Sequence, residues 1–272
     1  MRALGTDIGV INALLFGALI SPTDPIAVLG ILKDAKAPRE LAVQMTGESL
    51  FNDGIGVVLF LVISAAASGD SMSAVDVGVI FAREVLGGVL FGLFTGYVAV
   101  QLMRRIDDYS VEVLITVVLV LAGYATAERL HISAPIAAVV AGLVVGNQGR
   151  RLAMSDVTRE HVDMFWKLVD ELLNAILFLL LALEGTKIRS WSSTIIVSIS
   201  MIAIVLAARF VSVAVPITVL RRRITFPAHS IKILTWGGLR GGISVAMALS
   251  LPQGDHREVL LVLTYRWWRS RF

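Results

Sequence analysis

Eight apolar stretches set the limits on this chain. They run over 8–32, 41–66, 77–102, 110–128, 132–147, 165–185, 193–220 and 230–251, and a short stump follows at 257–265. Each is close to the roughly 20 residues that a helix needs to cross a bilayer core. A bilayer offers no water to unpaired backbone groups, so spans of this length satisfy their own hydrogen bonds as helices. The expected fold class is an all-α polytopic membrane protein. Composition agrees. Hydrophobic residues make up 56% of the 272 and charged residues 17%, with a mean hydropathy of +0.80. Soluble domains carry about 25% charge, and a soluble helix bundle needs polar faces that these stretches lack.

The charge sits in the connectors. KDAKAPRE, RRIDDYS, NQGRRLAMSDVTREHVD and RRRITFPAHSIK hold twelve Lys or Arg, whereas the alternating connectors (68–76, 128–133, 185–193, 252–258) hold four. The positive-inside rule places the first set in the cytoplasm, so the first span runs inward. The same bias accounts for a net charge of +3 and a pI near 9.4 without a nucleic-acid partner. The connector around 147–164 is polar enough for an amphipathic surface helix. There is no cysteine, which excludes disulfides and thiolate metal sites. The four histidines, His131, His161, His229 and His256, fall near segment ends and form no paired ligand motif. No cleavable signal peptide is expected, because the first apolar segment contains Asp24 and lacks a small-residue cleavage site. The stump ends in TYRWWRSRF, whose Trp and Arg suit an interface.

Two spans carry breakers. In LISPTDPIAVLG, Pro22 and Pro25 flank Thr23 and Asp24. Each proline removes a backbone donor and disfavours helix at the residue before it. The expected result is an unwound segment, with a plain kink as the alternative. Unwound backbone at membrane depth must be buried or line a wet cavity. In WGGLRGGIS, Gly237, Gly238, Gly241 and Gly242 surround Arg240. These glycines either open the helix or form a small-residue packing face. Two interrupted spans far apart in the chain suggest an inverted-repeat transporter whose broken helices cross near the midplane.

The second span, VQMTGESLFNDGIGVVLFLV, holds Glu48, Ser49, Asn52 and Asp53. Residues four apart share a helix face, so Glu48 aligns with Asn52 and Ser49 with Asp53. A central acidic residue costs about 2.5–3.5 kcal/mol on insertion scales, so such groups need partners or water. Polar contacts that merely hold a bundle together are the alternative reading. Arg240 is the expected bidentate partner of Glu48, and Arg209 in VLAARFVSVAV is a second intramembrane cation. That pairing leaves Asp53 and Asp24 for a transported cation, with Ser49 and Thr23 as further oxygen ligands. Hard oxygen ligands suit a small alkali cation. Desolvation disfavours the charged form of a carboxylate, so one aspartate can hold either a proton or a cation. Competition at a single site then yields antiport.

SPTDPIAV, GESLFNDGIGVVLF, WGGLRGGISVAMALSLP and FWKLVDELLNAILFLLLALEG closely resemble, in order, signature segments of the monovalent cation:proton antiporters of the sodium/proton exchanger type. The resemblance covers nearly the whole chain. It implies an inverted-repeat antiporter fold with crossed broken helices. Asp53 would be the proton-exchanging carboxylate and Asp24, Thr23 and Ser49 the rest of the cation site. Asn52, Glu48 and Arg240 would support it. It also implies electroneutral exchange of Na+ (or Li+ or K+) for H+ without a cofactor. A homodimer in the cell membrane, surrounded by lipid, is expected too. The first span matches the family's fifth, so about four earlier spans and most of the last are expected to be missing from this chain. Other readings are an inactive fragment of such an antiporter, a cation channel and an intramembrane aspartyl enzyme.

Overall fold

The two prolines divide the first apolar stretch. In the computed structural model, which describes residues 9–67, 73–185, 195–227, 229–238, 242–251 and 264, that stretch forms α1 (Val10–Leu19) and α2 (Ile26–Asp34). Residues 20–25 between them lie outside the helices. Pro25 has no N–H to donate back into α1, and it caps the start of α2 with φ −88° and ψ 0°.

The glycine-rich stretch is divided as well. Helix α10 (Ser230–Trp236) stops at Gly237, and α11 starts again at Gly242 and runs to Leu249. The glycines also serve close packing. A Cβ on Gly237 would strike the Met45 side chain, and one on Gly238 would lie 2.6 Å from Arg209 Nε. Both readings of this stretch therefore hold at once.

The elements between are α3 (Arg39–Ala67), α4 (Ala74–Met103), α5 (Tyr109–Arg129) and α6 (Ala134–Val144). A π-helical turn (Val145–Gly149) then leads into a short α7 (Arg150–Leu152), followed by α8 (Asp156–Gly185) and α9 (Ile195–Leu220). Helices α3, α4 and α5, and α9 from Ser200, are long and apolar enough to cross a membrane. The described chain is all-helical and multi-pass.

The region 147–164, polar enough for an amphipathic helix, is largely helical, but it is not separate from the next span. The π turn, α7 and the first turns of α8 take it up, and α8 starts at Asp156 rather than near 165. Ser155 explains the early start. Its Oγ accepts from the Thr158 N–H at 3.3 Å, satisfying one of the free donors of the first turn. Apart from Thr264, the stump at 257–265 lies outside the described residues.

The chain forms two compact units. One comprises residues 1–56 and 181–272, the other 57–180. In the first, Val28, Met45, Val213, Ile217 and Leu234 make a buried apolar core from α2, α3, α9 and α10. In the second, α4 packs on α6 along a glycine edge. A Cβ would lie 2.8 Å from Ser133 O at Gly88 and 3.0 Å from Ala141 Cα at Gly96, so the absent side chains permit close helix approach. A further core joins Ala99, Val100 and Met103 of α4 to Val145 and Met154.

Candidate ion site

Unwinding frees backbone groups that a helix would consume, and the groups freed at 20–25 are used on α3. The Thr23 N–H donates to Asp53 Oδ1 at 3.1 Å. The Thr23 carbonyl accepts a hydrogen bond from Ser49 Oγ. Thr23 and Ser49 are both buried, at 4% and 6% exposure. One residue of the unwound segment is thus clamped by two side chains a single turn apart on α3. The i, i+4 spacing of Ser49 and Asp53 makes the clamp possible, since both lie on the stripe that faces the break.

Gly56 extends that stripe. A Cβ there would lie 2.6 Å from Ser21 Oγ and 2.9 Å from Pro22 Cγ. The missing side chain lets the unwound segment lie directly on α3. Asp24, half-buried, follows Thr23 in the same non-helical stretch. Asp53, Asp24, Ser49 and Thr23 therefore come from two neighbouring pieces of chain, and they offer carboxylate, hydroxyl and carbonyl oxygen. That donor set suits a hard monovalent cation.

The neighbouring stripe carries the charge pair. Asn52 Nδ2 donates to Glu48 Oε1 at 3.2 Å. Glu48 is held by Arg209 in a two-pronged contact, NH1 to Oε1 and NH2 to Oε2, the latter at 2.9 Å. Arg209 NH2 also donates to the Leu234 carbonyl at 3.2 Å. The arginine side chain is 9% exposed and the glutamate 28%. Arg209, expected only as a secondary cation, is the described partner of Glu48. Arg240, the expected partner, lies outside the described residues. Gly238 makes room for Arg209: it has no Cβ, and Arg209 Nε occupies the space it leaves. The small Ala207 and Ala208 beside a mid-span arginine were the available sequence signal.

A second polar cluster, in unit 2, was not foreseen. Glu112 is fully buried at the start of α5, and Thr158 Oγ1 donates to its Oε1 at 3.4 Å. One turn on, Trp166 Nε1 donates to Thr116 Oγ1 at 2.9 Å. Arg150 and Asp163 form a two-pronged pair at 2.5 and 2.9 Å. Thr116, Trp166, Arg150 and Asp163 border a mostly apolar cavity of about 290 Å³. In the sequence Glu112 stands at the very start of the 110–128 stretch, and its partner Thr158 is 46 residues away on another helix, which is why its burial was not legible.

An unwound segment hydrogen-bonded onto an acidic apolar helix, beside a largely buried arginine–glutamate pair, marks a polytopic membrane protein with a polar cluster inside its spans, the candidate ion site. Comparison with known proteins specifies the family. A family model described as "Sodium/hydrogen exchanger, transmembrane" matches residues 1–265. The Na(+)/H(+) antiporter NhaP of Pseudomonas aeruginosa is 52% identical over 267 residues, covering 96% of this chain and 63% of that protein. The Na(+)/H(+) antiporter NhaH of Halobacillus aidingensis is 37% identical, over 95% of this chain and 64% of its own length. The low-affinity Na(+)/H(+) antiporter NhaS1 of Synechocystis is 38% identical, over 93% and 49%. This chain belongs to the sodium/hydrogen exchanger family. It spans less than two thirds of the length of these curated relatives, whose names are those of transporters rather than enzymes.

Proposed function

We propose that this chain forms the ion-exchanging part of a secondary antiporter that trades a monovalent cation, Na+ first, for H+ by alternating access. The observation that carries the reading is the clamp of Asp53 and Ser49 on the unwound Thr23. A carboxylate fixed against an unwound backbone segment, beside hydroxyl and carbonyl oxygen, is suited to take a cation. The same carboxylate, out of bulk water, is suited to take a proton instead. One site that holds either ion, but not both, couples their movements.

In this reading Asp53 is the exchanging group and Asp24, Ser49 and Thr23 complete the cation shell. Asn52, Glu48 and Arg209 hold α3 in register without carrying ions. The Asn52–Asp53 order supports one-for-one, electroneutral exchange. The protein works as a homodimer in the cell membrane, in an inverted-repeat fold, and needs no cofactor. The printed names of its relatives, Na(+)/H(+) antiporters, support the choice of ions.

The test uses inside-out vesicles containing the intact protein, acidified inside and loaded with a pH-quenched dye. Added Na+ should dequench the dye, at a rate indifferent to a clamped membrane potential. Asp53→Asn should abolish the response, because an amide cannot exchange a proton for a cation. Dequenching by Asp53→Asn at the wild-type rate would refute the role given to Asp53.

A further inference from the structure

The apolar cavity of unit 2 takes no part in the ion site. It lies between α5, α6 with its π turn, and the first turns of α8. Its floor is the stripe Ala138, Gly142 and Gly146, spaced by four and so on one helix face. The glycines of α4 are small because a Cβ there would strike α6. Gly142 and Gly146 differ: both are exposed, and a Cβ on either would meet nothing within 4 Å among the described residues. Packing within unit 2 therefore does not require their small size. Leu119, Val162 and Trp166 supply apolar walls. The volume, about 290 Å³, is at the lower end of the range for ligand cavities, about 300–1,000 Å³.

One end of the cavity is charged. Arg150, which follows the π turn, and Asp163 of α8 form a two-pronged pair there, with side chains 42% and 54% exposed. Both belong to NQGRRLAMSDVTREHVD, which its basic residues place at the cytoplasmic side. Trp166, near Asp163 on α8, suits the same interfacial depth. The cavity thus runs from an almost bare helix face to a pair of opposite charges at the depth of lipid headgroups. The π turn (Val145–Gly149) joins the two parts, and such turns are frequent at functional sites.

The ion pair decides the class of ligand. Asp163 neutralises Arg150, so this end offers both signs and little net charge. A purely anionic headgroup would be repelled by the carboxylate. A zwitterionic headgroup can set its phosphate on the guanidinium and its ammonium on the carboxylate. A primary ammonium also donates hydrogen bonds to Asp163, whereas a quaternary one has no N–H to donate.

We propose that the cavity between α5, α6 and α8 is a phospholipid site selective for phosphatidylethanolamine. One acyl chain lies on the Ala138–Gly142–Gly146 floor, and the headgroup bridges Arg150 and Asp163. The bound chain supplies the apolar contacts that the two glycines leave open, and it holds α8 against α6 at the cytoplasmic side. The site stands apart from the antiport reading, because its residues come from unit 2 alone.

The test uses the intact protein, delipidated in mild detergent and followed by native mass spectrometry. Phosphatidylethanolamine, phosphatidylcholine and phosphatidylglycerol of one acyl composition are titrated separately. The first phosphatidylethanolamine should bind about tenfold tighter than either of the others. Gly142→Leu with Gly146→Leu should weaken that binding at least about tenfold, since the leucines fill the floor. The open space around both positions lets this variant fold. Asp163→Asn, at an exposed position, should erase the preference over phosphatidylcholine and make phosphatidylglycerol the tightest ligand. An ion pair with a purely structural role would leave the lipid order unchanged in that variant. Equal binding of the three lipids by the wild type overturns the proposal, as does retention of detergent in place of lipid. Unchanged binding in the double leucine variant overturns it too. If that variant converts a dimer to a monomer with lipid binding intact, the groove seats a second copy and the proposal falls. None of these measurements needs Na+ or H+ flux, so failure of the antiport reading would be seen separately.

Discussion

Removing Arg209 tests the Glu48 ion pair most directly. Its guanidinium makes two contacts to Glu48 and one to the Leu234 carbonyl, from a side chain only 9% exposed. Among the described residues, Arg209→Ala leaves Glu48, itself 28% exposed, with the donor of Asn52 alone. Removing one partner of a buried pair costs about 3–5 kcal/mol, because the other charge is stranded. The partial exposure of Glu48 places this case at the lower end, near about 3 kcal/mol. At about 2–4 °C per kcal/mol for a chain of this size, the melting temperature in detergent should fall by about 6–12 °C. The matched double variant, Arg209→Ala with Glu48→Gln, should recover much of that loss, since the stranded charge is gone. Aggregation-monitored melts of the wild type, both single variants and the double variant complete the cycle. A single variant melting within about 2 °C of wild type would refute the pairing. Strict additivity of the two substitutions would do so as well.

Two further perturbations probe the other contacts. Gly56→Val should force the unwound segment off α3, because even a Cβ would sit 2.6 Å from Ser21 Oγ and 2.9 Å from Pro22 Cγ. Overpacking of this kind costs about 1–3 kcal/mol, and it should abolish Na+-driven flux in vesicles that still contain folded protein. In unit 2, Thr116→Val removes the acceptor of the Trp166 indole N–H. The expected loss is about 1 kcal/mol of stability, seen as a small drop in melting temperature, with a blue-shifted tryptophan emission and normal flux. Unchanged melting and emission would show that the indole bond contributes nothing.

The parts of the fold that were legible in the sequence are those set by local chemistry. Pro22 and Pro25 interrupt a helix wherever they stand, and α1 and α2 stop and start around them. The i, i+4 spacing of Ser49 and Asp53 is likewise a property of one helix, and it placed both groups against Thr23. Helix ends were less legible where apolarity and helicity part company. Helix α8 begins with Asp156, which suits the first turn of a helix, and with the good helix formers Arg159 and Glu160, none of which favours lipid, so a hydropathy reading starts it some nine residues late.

Pairing across elements was the hardest to read, and the reason is physical. Charge balance requires a cation for Glu48, but it cannot choose between Arg209 and Arg240. The reach of Arg209 rests on volume: its guanidinium needs a path between neighbouring backbones. Gly237 and Gly238 provide that volume, against Met45 and Arg209 respectively. Glycines that read in sequence as helix breakers act in the fold also as space for a guanidinium. A Cβ at 238 would meet Arg209 Nε at 2.6 Å while NH1 and NH2 are pinned to Glu48. The broken span and the charge pair are therefore one construction: the interruption that unwinds the helix after Trp236 also leaves the room in which Arg209 reaches α3. A break at the same place made with bulkier residues would free the same backbone groups yet leave Glu48 without this partner.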